Sequence, residues 1–195
     1  VTRRFPLLGV AAALFMGLAT IWMPAPAQAI AASGLPAAAP QERILDTADV
    51  LSRAAIGELS KTLESFSAER VDAHLITVNR LDYGLSLSQL GNSVLERWSE
   101  SGGEPNQVLF LIDSQTNSAA VVTSPGLVTQ LDASLLRSTA RTTMAQPIRD
   151  GGRYRQGSLD AMTRLLTVLQ GGEDPGEPIT AEVVSQPTNI PTKEE

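Results

Sequence analysis

Residues 108–123 read VLFLI-DSQTN-SAAVVT, and this stretch decides the fold. Val108–Ile112 is a short, wholly apolar run, the pattern of a strand buried on both faces. Ser118–Thr123 is a second β-prone run. Only Asp113 and the polar Ser114-Gln115-Thr116-Asn117 separate them. Four residues make a turn and leave no room for a crossover, so the second run returns antiparallel to the first. Upstream, Asp72–Val78 (DAHLITV) is another buried strand rich in β-branched residues. Between it and Val108 lies a helix, and a strand–helix–strand unit implies a parallel pair. The expectation is an α/β fold, a three-layer sandwich with a small mixed sheet and helices on its faces.

The helices announce their own starts. Ser52 is placed to cap a helix whose apolar positions are Ile56, Leu59, Leu63 and Phe66, with Leu51 and Ile56 as a hydrophobic staple. Ser86-Leu87-Ser88-Gln89 is a capping box, and Leu90, Val94 and Trp98 form the stripe behind it. Asp132 caps a third helix predicted to run to about Met144. Leu159, Met162, Leu166 and Leu169 line a fourth, which stops at Gly171-Gly172.

The ends differ from this core. Arg3 and Arg4 precede an apolar run from Leu7 to Met23, and Ala27-Gln28-Ala29 follows. A positive end, an apolar middle and small residues at -3 and -1 predict a signal peptide over 1–29. An uncleaved anchor is the alternative reading, although about 17 residues fall short of the roughly 20 that span a bilayer. Thr2-Arg3-Arg4 invites a twin-arginine reading, while Pro6 and the strongly apolar run favour the ordinary unfolded route. Residues 30–41 read as a flexible leader, 42–170 as one domain and 171–195 as a disordered acidic tail. Cleavage removes two arginines and no acid, so the formal charge moves from -6 to -8. Such a chain repels phosphate backbones and anionic lipid, which argues against nucleic acid and peripheral membrane partners. With no cysteine and one histidine, disulfides, thiolate chemistry, Cys-ligated metals and two-imidazole sites are excluded.

Chemistry-bearing residues are few. No phosphate-binding Gly-rich loop, nucleophile elbow or His-Glu-x-x-His occurs. Ser124-Pro125-Gly126 at a strand end reads as a turn, since Pro125 removes a backbone N–H and no base accompanies it. His74, inside a strand, reads as a face residue whose nitrogens are satisfied locally. The carboxylates are the better candidates. Asp46 and Asp49 precede helix one, Asp113 ends a strand and Asp132 opens a helix. Loop acids at such positions can supply the several oxygens that Ca²⁺ requires. Each also has a structural role open to it: capping for Asp132, turn formation for Asp46, Asp49 and Asp113.

Four blocks in order, ILDTADVLS, NQVLFLID, PGLVTQLDA and Pro147-Ile148 through Gly157, resemble the TPM-domain family. They are similar in particular to its thylakoid-lumen branch in cyanobacteria and plants, linked to photosystem II repair. The resemblance covers about residues 43–170. It implies an α/β sandwich and, as in some relatives, divalent-cation binding with weak acid phosphatase activity. On that pattern Asp46 and Asp132 match acidic positions, with Asn106 as a further ligand. Pro105-Asn106-Gln107 stands where the family has Asp-Asn-Gly, and Ser124-Pro125-Gly126 replaces a glycine-richer turn. One carboxylate is thus missing, which weakens a hard-cation site. The resemblance implies a soluble accessory protein of the thylakoid lumen or periplasm. Its partner would be a lumen-exposed membrane protein surface, with no membrane insertion after cleavage. The alternative is a weak metal-dependent phosphatase.

Overall fold

In the computed structural model, which describes residues 34–177, the sheet has four strands in the order β1-β2-β3-β4. These are β1 (Ile44–Asp46), β2 (Asp72–Val78), β3 (Gln107–Asp113) and β4 (Ser118–Thr123). β1, β2 and β3 are parallel, and β4 runs antiparallel to β3 with Asp113 opposite Ser118. The strand–helix–strand unit and the tight return after Asp113 are as the spacing predicts. β1 is an addition: three residues are too few to show a periodicity.

The helices are α1 (Arg53–Ser65), α2 (Leu87–Glu100), α3 (Ala133–Ser138), α4 (Ala145–Gly151) and α5 (Tyr154–Leu169). Alternate strand residues divide the core into two layers. Ala73, Leu75, Val108, Phe110 and Ile112 meet α1, α5 and the 127–148 region. Ile76, Val78, Leu109 and Leu111 meet α2 through Leu90, Val94 and Trp98. The result is the expected three-layer sandwich. Ser52 and Ser86 cap as predicted, Ser52 Oγ accepting from Ala55 N and Ser86 completing its box with Gln89.

Four readings are corrected. The third helix does not stop at Met144. A π-helical turn, Thr139–Met144, joins α3 to α4, which continues to Gly151. In a regular helix the ring of Pro147 would collide with the carbonyl four residues back, and the widened turn just before it makes room. Gly152, at φ +61°, ends α4. The inward face of α5 is centred on Gly157, Ala161, Met162 and Leu165. Leu159, Leu166 and Leu169 are only partly buried beside it. A Cβ at Gly157 would stand 2.3 Å from the Met144 carbonyl oxygen, so the absent side chain sets how closely α5 approaches the π turn.

The leader and tail expectations change at their inner ends. Residues 35–40 lie against α2, with Leu35 buried. Arg97 Nη2 donates to the Leu35 and Pro36 carbonyls, Trp98 Nε1 to Pro36 O, and Ser101 Oγ to Ala37 O. At the other end Asp174 accepts two 2.7 Å bonds from the buried Arg164, whose Nη1 reaches Thr143 Oγ1. Those bonds hold the Asp174 carboxyl below the usual carboxylate range. The signal-peptide reading, over residues 1–29, lies outside the described residues. Among the described residues no helix is long and apolar enough to cross a membrane.

Candidate functional site

Asp46 ends β1 at the edge where β2 and β3 also finish. Its Oδ1 accepts from Val50 N (3.2 Å) and from the Thr77 hydroxyl, and its Oδ2 from Leu51 N (2.9 Å). The carboxylate thus turns the chain from β1 into α1 and ties that turn to β2. Asp49, within the turn, takes φ +53°, a left-handed conformation that aspartate tolerates.

Asp132 lies beyond β4, the strand that finishes beside the start of β3. It caps α3 through one oxygen, which accepts from Ser134 N at 2.7 Å, Leu135 N at 2.9 Å and Ser134 Oγ at 2.6 Å. The bond from the Ser134 hydroxyl, then those from the two amides, lower its pKa. Asn106 also lies at the start of β3: a Cβ at Gly126 would stand 2.5 Å from its Oδ1. The structure therefore brings Asn106 toward the segment that leads to Asp132 and sets Asp46 at the other end of the parallel strands. Among the described residues no three His, Cys, Asp or Glu side chains converge as metal ligands.

Asp113 begins the hairpin turn as its position suggested. Its oxygens accept from Gln115 N, Thr116 N and Thr116 Oγ1, and Asn117 closes the turn at φ +50°. Ser124 is buried, with its Oγ accepting from Gln107 N at 2.9 Å. It seals the start of β3 against the end of β4. Both oxygens of Asp46 and Asp113, and one of Asp132, are thus bound to the chain's own donors.

Two open clefts lie among the described residues. The first, about 400 Å³, is lined by Arg43, Ser67, Arg70, Asp72 and Glu104. There Arg43 is paired with Asp72 at 2.8 Å. The second, about 430 Å³, lies outside the carboxyl ends of β2 and β3 and is lined by Arg80, Asp82, Tyr83, Ser86, Asp113 and Thr116. Ligands of open α/β sheets characteristically bind at this edge. Tyr83 stands there fully exposed at 107%, next to Gly84 at φ +82°. Sequence reasoning passed over this site. The available signal was the polar Asn79–Gly84 link between a buried strand and a capped helix.

A TPM domain family model matches residues 44–168, well over half of the chain. Comparison with curated proteins finds no match. Among solved structures, the chain is similar to the N-terminal domain of a protein from P. gingivalis, determined by solution NMR. That similarity has 18% identity and a TM-score of 0.65, covering 74% of this chain and 94% of the other. It is also similar to the N-terminal domain of a protein from Corynebacterium glutamicum, at 12% identity and TM-score 0.50, covering 71% and 86%. At these identities the likeness concerns the fold alone.

Proposed function

Because the chain belongs to the TPM-domain family, we propose that it is an exported, soluble accessory protein that supports photosystem II repair and protection from photodamage. It acts by binding a lumen-exposed surface of a membrane protein rather than by catalysis. Support for export comes from Arg3, Arg4, the apolar run and Ala27-Gln28-Ala29. Support for the photosynthetic role comes from the four ordered blocks. The observation that carries binding over hydrolysis is the engagement of Asp46, Asp113 and Asp132 by their own loops. Phosphate-ester hydrolysis needs a well-ligated cation, an arginine clamp or a nucleophile with its base, and those acids instead organise backbone.

The binding face is the cleft beside Tyr83. A strain lacking the protein is expected to recover photosystem II activity slowly after strong light. The native chain and Asp132→Asn, whose amide also caps, should restore recovery. Tyr83→Ala should fold normally and not restore it. Unchanged recovery in the deletion strain would remove the photosystem II role, and rescue by Tyr83→Ala would remove this face. Cation-dependent phosphomonoester hydrolysis, lost in both Asp46→Asn and Asp132→Asn, would replace binding by the phosphatase reading. Fractionation should find the cleaved chain in the thylakoid lumen or periplasm, and retention in the cytosol would contradict export.

A further inference from the structure

We propose that residues 35–40 form a strap released by acidification, with His74 as the contact that senses the proton. The strap, Leu35-Pro36-Ala37-Ala38-Ala39-Pro40, carries no charge of its own. Side chains grip it from below: Arg97 and Trp98 of α2, and Ser101 just past its end, hold its first carbonyls. His74 of β2 holds its last, Nε2 lying 3.2 Å from Pro40 O. A carbonyl only accepts, so that nitrogen carries the hydrogen and the neutral ring has its lone pair on Nδ1.

Nδ1 is buried without a hydrogen-bond partner. Asp72 Oδ2 lies 3.7 Å from it, too far for a hydrogen bond and itself an acceptor. The ring is 2% exposed and meets Trp98 edge-on, with centroids 5.0 Å apart. A proton must therefore enter a site closed by the strap above and the indole at one side. The charges facing it are few. Asp72 favours the imidazolium. Arg43 opposes it and already holds the other Asp72 oxygen at 2.8 Å. Neighbouring α2 presents Arg97, whose Nη2 is bound to the strap. On β3 the adjacent same-face residues, Leu109 and Gln107, are uncharged.

Desolvation dominates, ahead of the opposing pull of Asp72, and the pKa of docked His74 is lowered. With the strap lifted, the ring is hydrated and returns toward its ordinary value near 6.5. The open state then binds the proton more tightly than the docked one. Docking is therefore strongest above about pH 6.5, weakens as pH falls through that value, and levels off below the docked pKa. Each unit between the two pKa values multiplies the open-to-docked ratio about tenfold.

Trp98 reports the change, because its indole is covered while the strap is down. In the full chain carrying Trp22→Phe, Trp98 is the sole tryptophan. Lowering pH from 7.5 to 5 should increase its quenching by acrylamide and red-shift its emission, with the far-UV spectrum unchanged. The midpoint should lie below 6.5, and the NMR titration of the single imidazole should follow the same curve. His74→Gln should flatten the pH response. Ser101→Ala should raise quenching at both pH values while keeping the response. Quenching that stays constant while the imidazole titrates would overturn the proposal. So would an imidazole midpoint at or above 6.5, or an equal pH response in His74→Gln. If His74→Gln does not fold, the imidazole midpoint and the native quenching curve decide.

Discussion

Trp98→Ala is expected to lower the unfolding free energy by about 3–5 kcal/mol, a large share of the roughly 5–15 kcal/mol of an ordinary domain. The indole is completely buried between α2 and the sheet, among Ile76, Val94 and Leu109. Alanine leaves a cavity that rigid strand residues cannot fill. It also removes the N–H that Pro36 O accepts and the edge against His74. Trp98→Phe keeps most of the apolar volume and loses the donor, so its cost should be clearly smaller. Urea unfolding followed by far-UV circular dichroism gives both values. A change under 1 kcal/mol for Trp98→Ala would mean that α2 does not pack as described.

Asp46→Ala is expected to destabilise by about 2–3 kcal/mol, since Val50 N, Leu51 N and the Thr77 hydroxyl all lose their acceptor. The site is partly exposed, so water recovers some of that loss. Asp46→Asn retains one acceptor oxygen and should fall between the native chain and Asp46→Ala. Thr77→Val should cost less than Asp46→Ala, because it removes one donor to Asp46 and the acceptor of Ala48 N, whereas Asp46→Ala removes the acceptor of three. Equilibrium unfolding of the three variants orders them. Full native stability in Asp46→Ala would show that the carboxylate does not organise the turn.

What the sequence discloses follows the range of the interactions. The strands at 72–78, 108–112 and 118–123 are legible because burial on both faces leaves apolar runs. The caps at Ser52, Ser86 and Asp132 are legible because their partners lie two or three residues away. The strap is not. Leu35-Pro36-Ala37 reads as a linker, and the donors that hold it are 61–64 residues distant. α5 displays its packed face only in part: Met162 of the apolar stripe is buried, while the close approach is set by Gly157 against a backbone oxygen. For the candidate site, Asp46 and Asp132 are recognisable as loop and cap residues. Where Asp46 lies relative to Asn106 and the end of β4 is a property of strand direction, which only the paired registers reveal. Tyr83 is silent in sequence because exposure has no periodicity.

Thermal unfolding of the full chain with and without excess Ca²⁺, beside Asp46→Asn and Asp132→Asn, addresses the role of these acids. A ligand at a hundred times its dissociation constant would add about 2.7 kcal/mol. With each carboxylate holding its own loop, the midpoint should be unmoved by Ca²⁺ in all three proteins. A Ca²⁺-dependent rise in the native chain that disappears in both variants would contradict this, because it would require Asp46 and Asp132 to serve one site.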